Sequence, residues 1–148
     1  REAALEVIPA AVSQGMGIVV GSPLQQGALA RRYDASLDDP AAYWLSAARR
    51  EQLRALYRFV DECGLALPEL ALRWVLSDPR IHCVLMGARS VAETEQNVAS
   101  VRRGPLPEDI LRRLDQIAAM VPFRPFGEPF GIGWVLGSPQ SHRGPGPG

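Results

Sequence analysis

The stretch Met16-Gly17-Ile18-Val19-Val20-Gly21-Ser22-Pro23 decides the fold class. Its centre is a short, uninterrupted apolar run rich in β-branched side chains, the pattern of a strand buried on both faces. Upstream, residues 2–14 carry Leu5, Ile8 and Val12 at helical spacing and stop at Gly15, a residue suited to ending a helix. A helix followed by a continuous apolar strand is the α/β signature. Pro23 ends the strand, and the loop from Ser22 runs through Gly27 to a polar stretch near residues 34–40.

Downstream, a long helix is expected over 47–63, with Leu53, Leu56, Tyr57 and Val60 on its apolar face and Gly64 closing it. Pro68 opens a second helix, which carries Leu70, Leu72, Trp74 and Val75 and stops at Asp78-Pro79. Trp74 is expected to pack against the fold. Ile81-His82-Cys83-Val84-Leu85-Met86 then reads as a second buried strand, closed by Gly87. Further helices are expected over 91–101 and 107–120. The last has Ile110, Leu111, Leu114, Ile117, Ala118 and Val121 on one stripe and Glu108 and Asp109 in its first turn. Residues 122–136 form an irregular aromatic arm with Phe123, Phe126, Phe130 and Trp134, and residues 137–148 are a Gly/Pro/Ser tail expected to be disordered.

Two parallel strands make a poor sheet alone, because such a sheet needs both faces covered. The expectation is a partial structure whose missing strands lie before Arg1, and a first residue other than methionine points the same way. Ile18, Val20, Val84 and Met86 would then be left exposed, with poor solubility or self-association as the result.

The chain has 148 residues, 47% of them hydrophobic, with 14 glycines and 13 prolines, enough for one domain with a real core. Its 16 basic residues balance 16 acidic ones, so no global field draws in nucleic acid or a membrane surface. Every basic residue is arginine. Coding bias accounts for such usage, yet the consequence is chemical: no Schiff-base, phosphate-loop or acid/base lysine exists here. There is no signal pattern and no apolar run near the roughly 18–20 residues of a membrane helix, so a cytoplasmic setting is expected. Cys63 and Cys83 lack metal-ligand spacing and are expected to be buried reduced thiols. No metal site is expected.

Each strand runs into a turn able to present backbone donors at its C-terminal end, the edge where α/β folds bind ligands. The first turn is Ser22-Pro23-Leu24-Gln25-Gln26-Gly27, and the second is Gly87-Ala88-Arg89-Ser90 leading into a helix. Gly87 would admit a close ligand, Ser90 a hydroxyl and Arg89 a guanidinium fork, together a phosphate cradle in outline. Ser90-Val91-Ala92-Glu93 equally fits a capping box, with Ser90 as the cap and Glu93 reaching back. For Ser22-Pro23 the plain alternative is a turn that merely ends a strand.

Three motifs together resemble the C-terminal part of the aldo-keto reductase family. They are the segment 17–29 around Gly21-Ser22-Pro23-Leu24, the segment 70–79 around Arg73-Trp74, and Met86-Gly87-Ala88-Arg89-Ser90 with Asn97. The resemblance covers residues 1–121 and implies the end of a TIM (β/α)8 barrel, whose last two strands are those at 17–22 and 81–86. It also implies NADP(H) as cofactor. Ser22, Pro23, Leu24 and Gly27 would lie near its pyrophosphate, with Arg32 as the basic residue that follows. Gly87, Arg89, Ser90 and Asn97 would lie near the adenosine and its 2′-phosphate. The family's usual Gln and Glu on the following helix correspond here to Glu93 and Gln96, a rearrangement; Glu93 is counted with the cofactor-binding residues, and its carboxylate would lower phosphate affinity if it pointed toward the site rather than back to its cap.

The resemblance further implies hydride transfer between nicotinamide and a small carbonyl or sugar substrate. The proton donor would be a tyrosine tuned by lysine, aspartate and histidine from the first half of the barrel. This chain has no lysine, His82 falls in a strand and His142 in the tail, and Tyr33, Tyr43 and Tyr57 fall in a loop or helix. No catalytic residue is assigned. The expectation is therefore a cofactor-binding oxidoreductase fragment, partnered by an N-terminal half or by itself. The alternative is a stand-alone phosphate-binding or interaction module.

Overall fold

The computed structural model describes residues 3–42 and 45–121. After one π-helical turn (Ala3–Val7) the elements are α1 (Ile8–Ser13), β1 (Val19–Gly21), α2 (Asp34–Asp38), α3 (Ala47–Cys63), α4 (Leu67–Leu76), β2 (Cys83–Leu85), α5 (Val91–Arg102) and α6 (Glu108–Ala119), with a 3-10 turn at Gln25–Gly27. The aromatic arm and the Gly/Pro tail lie outside the described residues. The chain divides into two units, Arg1–Ala30 with Ala66–Pro107, and Arg31–Leu65 with Glu108–Gly148.

In the first unit β1 and β2 pair in parallel, with Val19 opposite Cys83, Val20 opposite Val84 and Gly21 opposite Leu85. The entry to the pair is fixed at Ile18, whose carbonyl accepts the N–H groups of His82 and Cys83 at 3.0 and 3.2 Å. In return the Ile18 N–H donates to His82 Nδ1 at 3.1 Å. His82 thus precedes the strand and is exposed, where the sequence placed it inside a buried one.

The strands were expected to be buried on both faces, with Ile18, Val20, Val84 and Met86 on the side left bare. The opposite parity is found. Ile18 is buried, Val20, Val84 and Met86 are half-buried, and Val19 and Leu85 are 59% and 62% exposed. Side chains alternate strictly along a strand, so an error of one residue exchanges the two faces completely. A continuous apolar run has no polar residue to mark which face is which. Cys83 shares the bare face and is exposed, and Cys63 is half-buried; both are free thiols, as expected, but neither is buried.

Pro68 sits at the start of α4 and Ala66 caps it without a side-chain bond. Leu67, Leu70, Leu72 and Val75 are buried on this helix, which packs on α5. Trp74, expected to pack against the fold, is 44% exposed. It is the exposed residue of a helix otherwise covered or half-covered all round. Arg73 joins α4 to the chain after α5. Its Nε and Nη2 donate to the carbonyls of Gly104 and Pro105 at 2.8 and 3.0 Å, and Nη1 meets Glu69 at 2.9 Å. The expected helix over 2–14 is split, with the π turn leading into α1 and Pro9 near the junction. Proline cannot donate to the preceding turn and crowds it. Of its apolar positions only Ile8 is buried, and Leu5 and Val12 face solvent.

In the second unit α3 packs on α2 and α6. Ser46 caps α3 by accepting the Arg49 N–H at 3.0 Å. Gly64 ends it in the left-handed region at φ 65°, which costs a glycine little. The buried face includes Tyr57 and Val60 as expected, and is widened by Phe59 and Gln52. Gln52 Nε2 donates to the Ile117 carbonyl at 2.9 Å, where α6 ends. Ile117 and Val121 are the buried members of the α6 stripe, and its other four apolar residues are half-buried. The short helix α2 falls in the stretch that the sequence marks only as polar, since five residues are too few for a periodic signal.

Candidate functional site

Because β1 and β2 are parallel and Gly21 lies opposite Leu85, the turns that follow them leave from the same end of the pair. One sheet edge therefore collects the two segments that the sequence marked separately. The first turn is tightly wound. Gln25 N–H donates to the Ser22 carbonyl at 2.9 Å, Gly27 N–H to the Leu24 carbonyl at 3.0 Å, and Leu29 N–H to the same carbonyl at 3.1 Å. Pro23 is buried and Leu24 half-buried, so these two anchor the turn while Ser22 stays exposed.

The backbone of this turn is strained. Ser22 and Gln25 adopt φ of 55° and 48°, and Gly27 takes 95°. Glycine tolerates this, whereas an L side chain in the left-handed region costs about 1–2 kcal/mol. Residues preceding proline normally keep to extended backbone, which makes Ser22 the more unusual of the two. Strain of this kind gathers where a chain must present a group in one orientation. Neither residue carried a signal in the sequence, because serine and glutamine are not markers of positive φ.

In the second turn, a Cβ built on Gly87 meets nothing within 4 Å, which leaves the backbone open to approach. Ser90 is extended at φ −147° and its Oγ accepts the Glu93 N–H at 3.1 Å. The capping reading of Ser90 is therefore realised at the start of α5. Glu93 does not reach the Ser90 N–H, as a standard capping box would have it. Its Oε2 accepts the Arg89 N–H at 2.7 Å and its Oε1 accepts Arg89 Nη2 at 3.1 Å. The Arg89 N–H first, and its guanidinium next, hold the Glu93 carboxyl below the usual carboxylate range. Asn97 lies one turn beyond Glu93 and is half-buried. Ser90, Glu93 and Asn97 thus share a helix face at i, i+3 and i+7.

Arg32 belongs to the second unit. Its guanidinium forks onto both Asp34 oxygens at 2.7 and 3.0 Å, reaches Asp61 at 2.6 Å, and lies 4.9 Å from the centroid of the Tyr57 ring. Two carboxylates and a ring already answer its charge. The Tyr57 hydroxyl accepts the Tyr33 N–H at 3.1 Å, and burial pushes its ionisation above the ordinary phenol range, the wrong direction for a proton donor. Among the described residues there is no group of three or more His, Cys, Asp or Glu arranged to hold a metal ion, and no helix long and apolar enough to cross a membrane.

The pattern of residues matches a known family. The sequence model of the Aldo/keto reductase family matches residues 1–119. The chain is 32% identical over 120 residues to YrpG, an uncharacterized oxidoreductase of Bacillus subtilis, covering 79% of this chain and 36% of that protein. It is 26% identical over 117 residues to L-glyceraldehyde 3-phosphate reductase of Escherichia coli K12, covering 70% and 34%. It is 28% identical over 133 residues to a probable voltage-gated potassium channel subunit beta of Arabidopsis thaliana, covering 81% and 40%. The chain thus spans between a third and two fifths of the length of these relatives.

Proposed function

The chain belongs to the aldo/keto reductase family, and on that premise we propose that it is the C-terminal, cofactor-holding part of an NAD(P)H-dependent oxidoreductase acting on small carbonyl or sugar substrates in the cytoplasm. In this reading residues 1–121 are the last portion of a (β/α)8 barrel, incomplete alone, with β1 and β2 as its final two strands. The observation that carries the reading is the shared edge: parallel pairing of Gly21 with Leu85 brings the Ser22–Gly27 and Gly87–Ser90 turns to one end of the sheet.

The donor set there suits an extended dinucleotide. Ser22, Leu24 and Gly27 supply a hydroxyl and backbone at one turn. Gly87, Arg89, Ser90 and Asn97 supply an open backbone, a guanidinium, a hydroxyl and an amide at the other. When bound, the nicotinamide supplies or accepts the hydride. This chain's residues would hold and orient the dinucleotide, and the group that moves the substrate proton would come from outside these 148 residues.

Fluorescence titration of the full chain with NADPH tests the reading. Saturable binding, weakened about tenfold by Arg89→Ala through loss of one charged fork, is the expected outcome. No binding at millimolar cofactor would overturn it. Reduction of a simple aldehyde by the 148 residues alone at ordinary enzymatic rates would overturn the division of labour.

A further inference from the structure

The reading of the Gly87–Ser90 turn as the adenosine end of a dinucleotide site leaves one side chain in an unexpected place. A phosphate held by this turn would use the Arg89 N–H and guanidinium, the donors best placed for an anion. Glu93 occupies both, with Oε2 at 2.7 Å from the N–H nitrogen and Oε1 at 3.1 Å from Nη2. Building on the proposed cofactor site, we propose that Glu93 is a specificity-determining residue that removes the site's preference for a 2′-phosphorylated dinucleotide.

Two physical effects act in the same direction. A phosphate monoester on Arg89 must either displace the carboxylate or sit a few ångströms from it. At an exposed site that repulsion weakens binding on the order of tenfold. An unphosphorylated ribose has no such conflict, because its hydroxyls donate and a carboxylate accepts, the arrangement that suits NAD rather than NADP. Specificity is a difference between two affinities, and one carboxylate lowers the first while supporting the second. With its ionisation held below the ordinary carboxylate range, Glu93 is charged throughout the neutral range.

Glu93 also has little structural duty to confuse the result. The helix cap is made by Ser90 Oγ to the Glu93 backbone N–H, which survives any side-chain change. The pair with Arg89 is solvent-facing, Arg89 being 88% exposed, and such pairs add little stability. In Glu93→Gln an amide oxygen can still accept the Arg89 N–H while the negative charge is gone.

The test is parallel titration of the full chain with NADPH and NADH at low ionic strength, for the unaltered protein, Glu93→Gln and Glu93→Ala, with far-UV circular dichroism to compare helix content. The unaltered chain is expected to bind the two dinucleotides within about threefold, and both variants to shift the affinity ratio toward NADPH by about tenfold. In an Arg89→Ala background the same substitution should shift the ratio much less. If the unaltered chain prefers NADPH by tenfold or more, or if removing the charge leaves the ratio where it was, the assignment of Glu93 fails while the site stands. If neither dinucleotide binds any variant that keeps its helix content, the site reading itself fails and this one with it.

Discussion

Arg50 shows how much one side chain can organise. Its guanidinium donates to five carbonyls, those of Ser36, Leu37, Asp39, Ala42 and Leu45, at 2.7 to 3.2 Å. Ser36 and Leu37 lie in the last turn of α2, whose carbonyls have no helical partner, and Asp39, Ala42 and Leu45 follow it, so one cation ties the end of the helix to the chain beyond it. Arg50→Ala is expected to destabilise the protein by about 2–4 kcal/mol in urea unfolding, as several carbonyls lose a charged donor. Lysine cannot replace it fully, because an ammonium lacks the planar fork that spans opposite sides of the loop. Glu69 plays the complementary role in the other unit. Burial works to raise its ionisation, and hydrogen bonds from Arg103 and Arg73 outweigh this and hold it below the usual carboxylate range. A carboxyl depressed in the folded state binds fewer protons there than in the unfolded chain, so it stabilises the fold above the ordinary carboxylate value. That contribution is lost as pH falls through the lower folded value. Acid unfolding followed by circular dichroism should show this dependence, and Arg103→Ala should flatten it.

The helices differ from the strands in how openly they declare themselves. The bounds of α3 were readable because the signals are local: an apolar face over Leu53, Leu56, Tyr57 and Val60, and Gly64 as the stop; the Ser46 cap emerged only in the structure. Gly64 stands at φ 65° with open space around it, so Gly64→Ala should cost about 1–2 kcal/mol from backbone conformation alone, seen as a lower midpoint in thermal unfolding. The α5 start was readable for the same reason, with Ser90 capping as its spacing implies. Its second contact was not, because whether Glu93 turns to Ser90 or to Arg89 depends on the exact path of the turn before the helix. Strand position was legible and strand parity was not. Both faces of β1 are apolar in sequence, and only the side on which the chain lays its own side chains decides that Ile18 is covered and Val19 bare. Strained Ser22 was silent for a different reason, since its residue type does not advertise the conformation that the turn demands.

For the molecule as a whole, the bare sheet face is the dominant physical fact. Val19 and Leu85 lie on it, and β1 and β2 pair only with each other among the described residues. Unpaired edges beside an apolar face favour association with another chain. Concentration-dependent self-association in sedimentation velocity is expected, and replacing both Val19 and Leu85 by asparagine should weaken it at least tenfold. A concentration-independent monomer would contradict this. The family match over residues 1–119, with relatives of which this chain spans between a third and two fifths, accords with the strand count. The linear order of residues was enough to place two parallel strands, their following turns and the lack of any lysine, because strand-forming runs, helix caps and composition are properties of neighbours in the chain. Three things were decided only by folding: the covered face of the sheet, the capture of Arg89 by Glu93, and the double claim of Asp34 and Asp61 on Arg32. Each depends on how the backbone turns between groups, and sequence distance does not report whether two charges end a few ångströms apart.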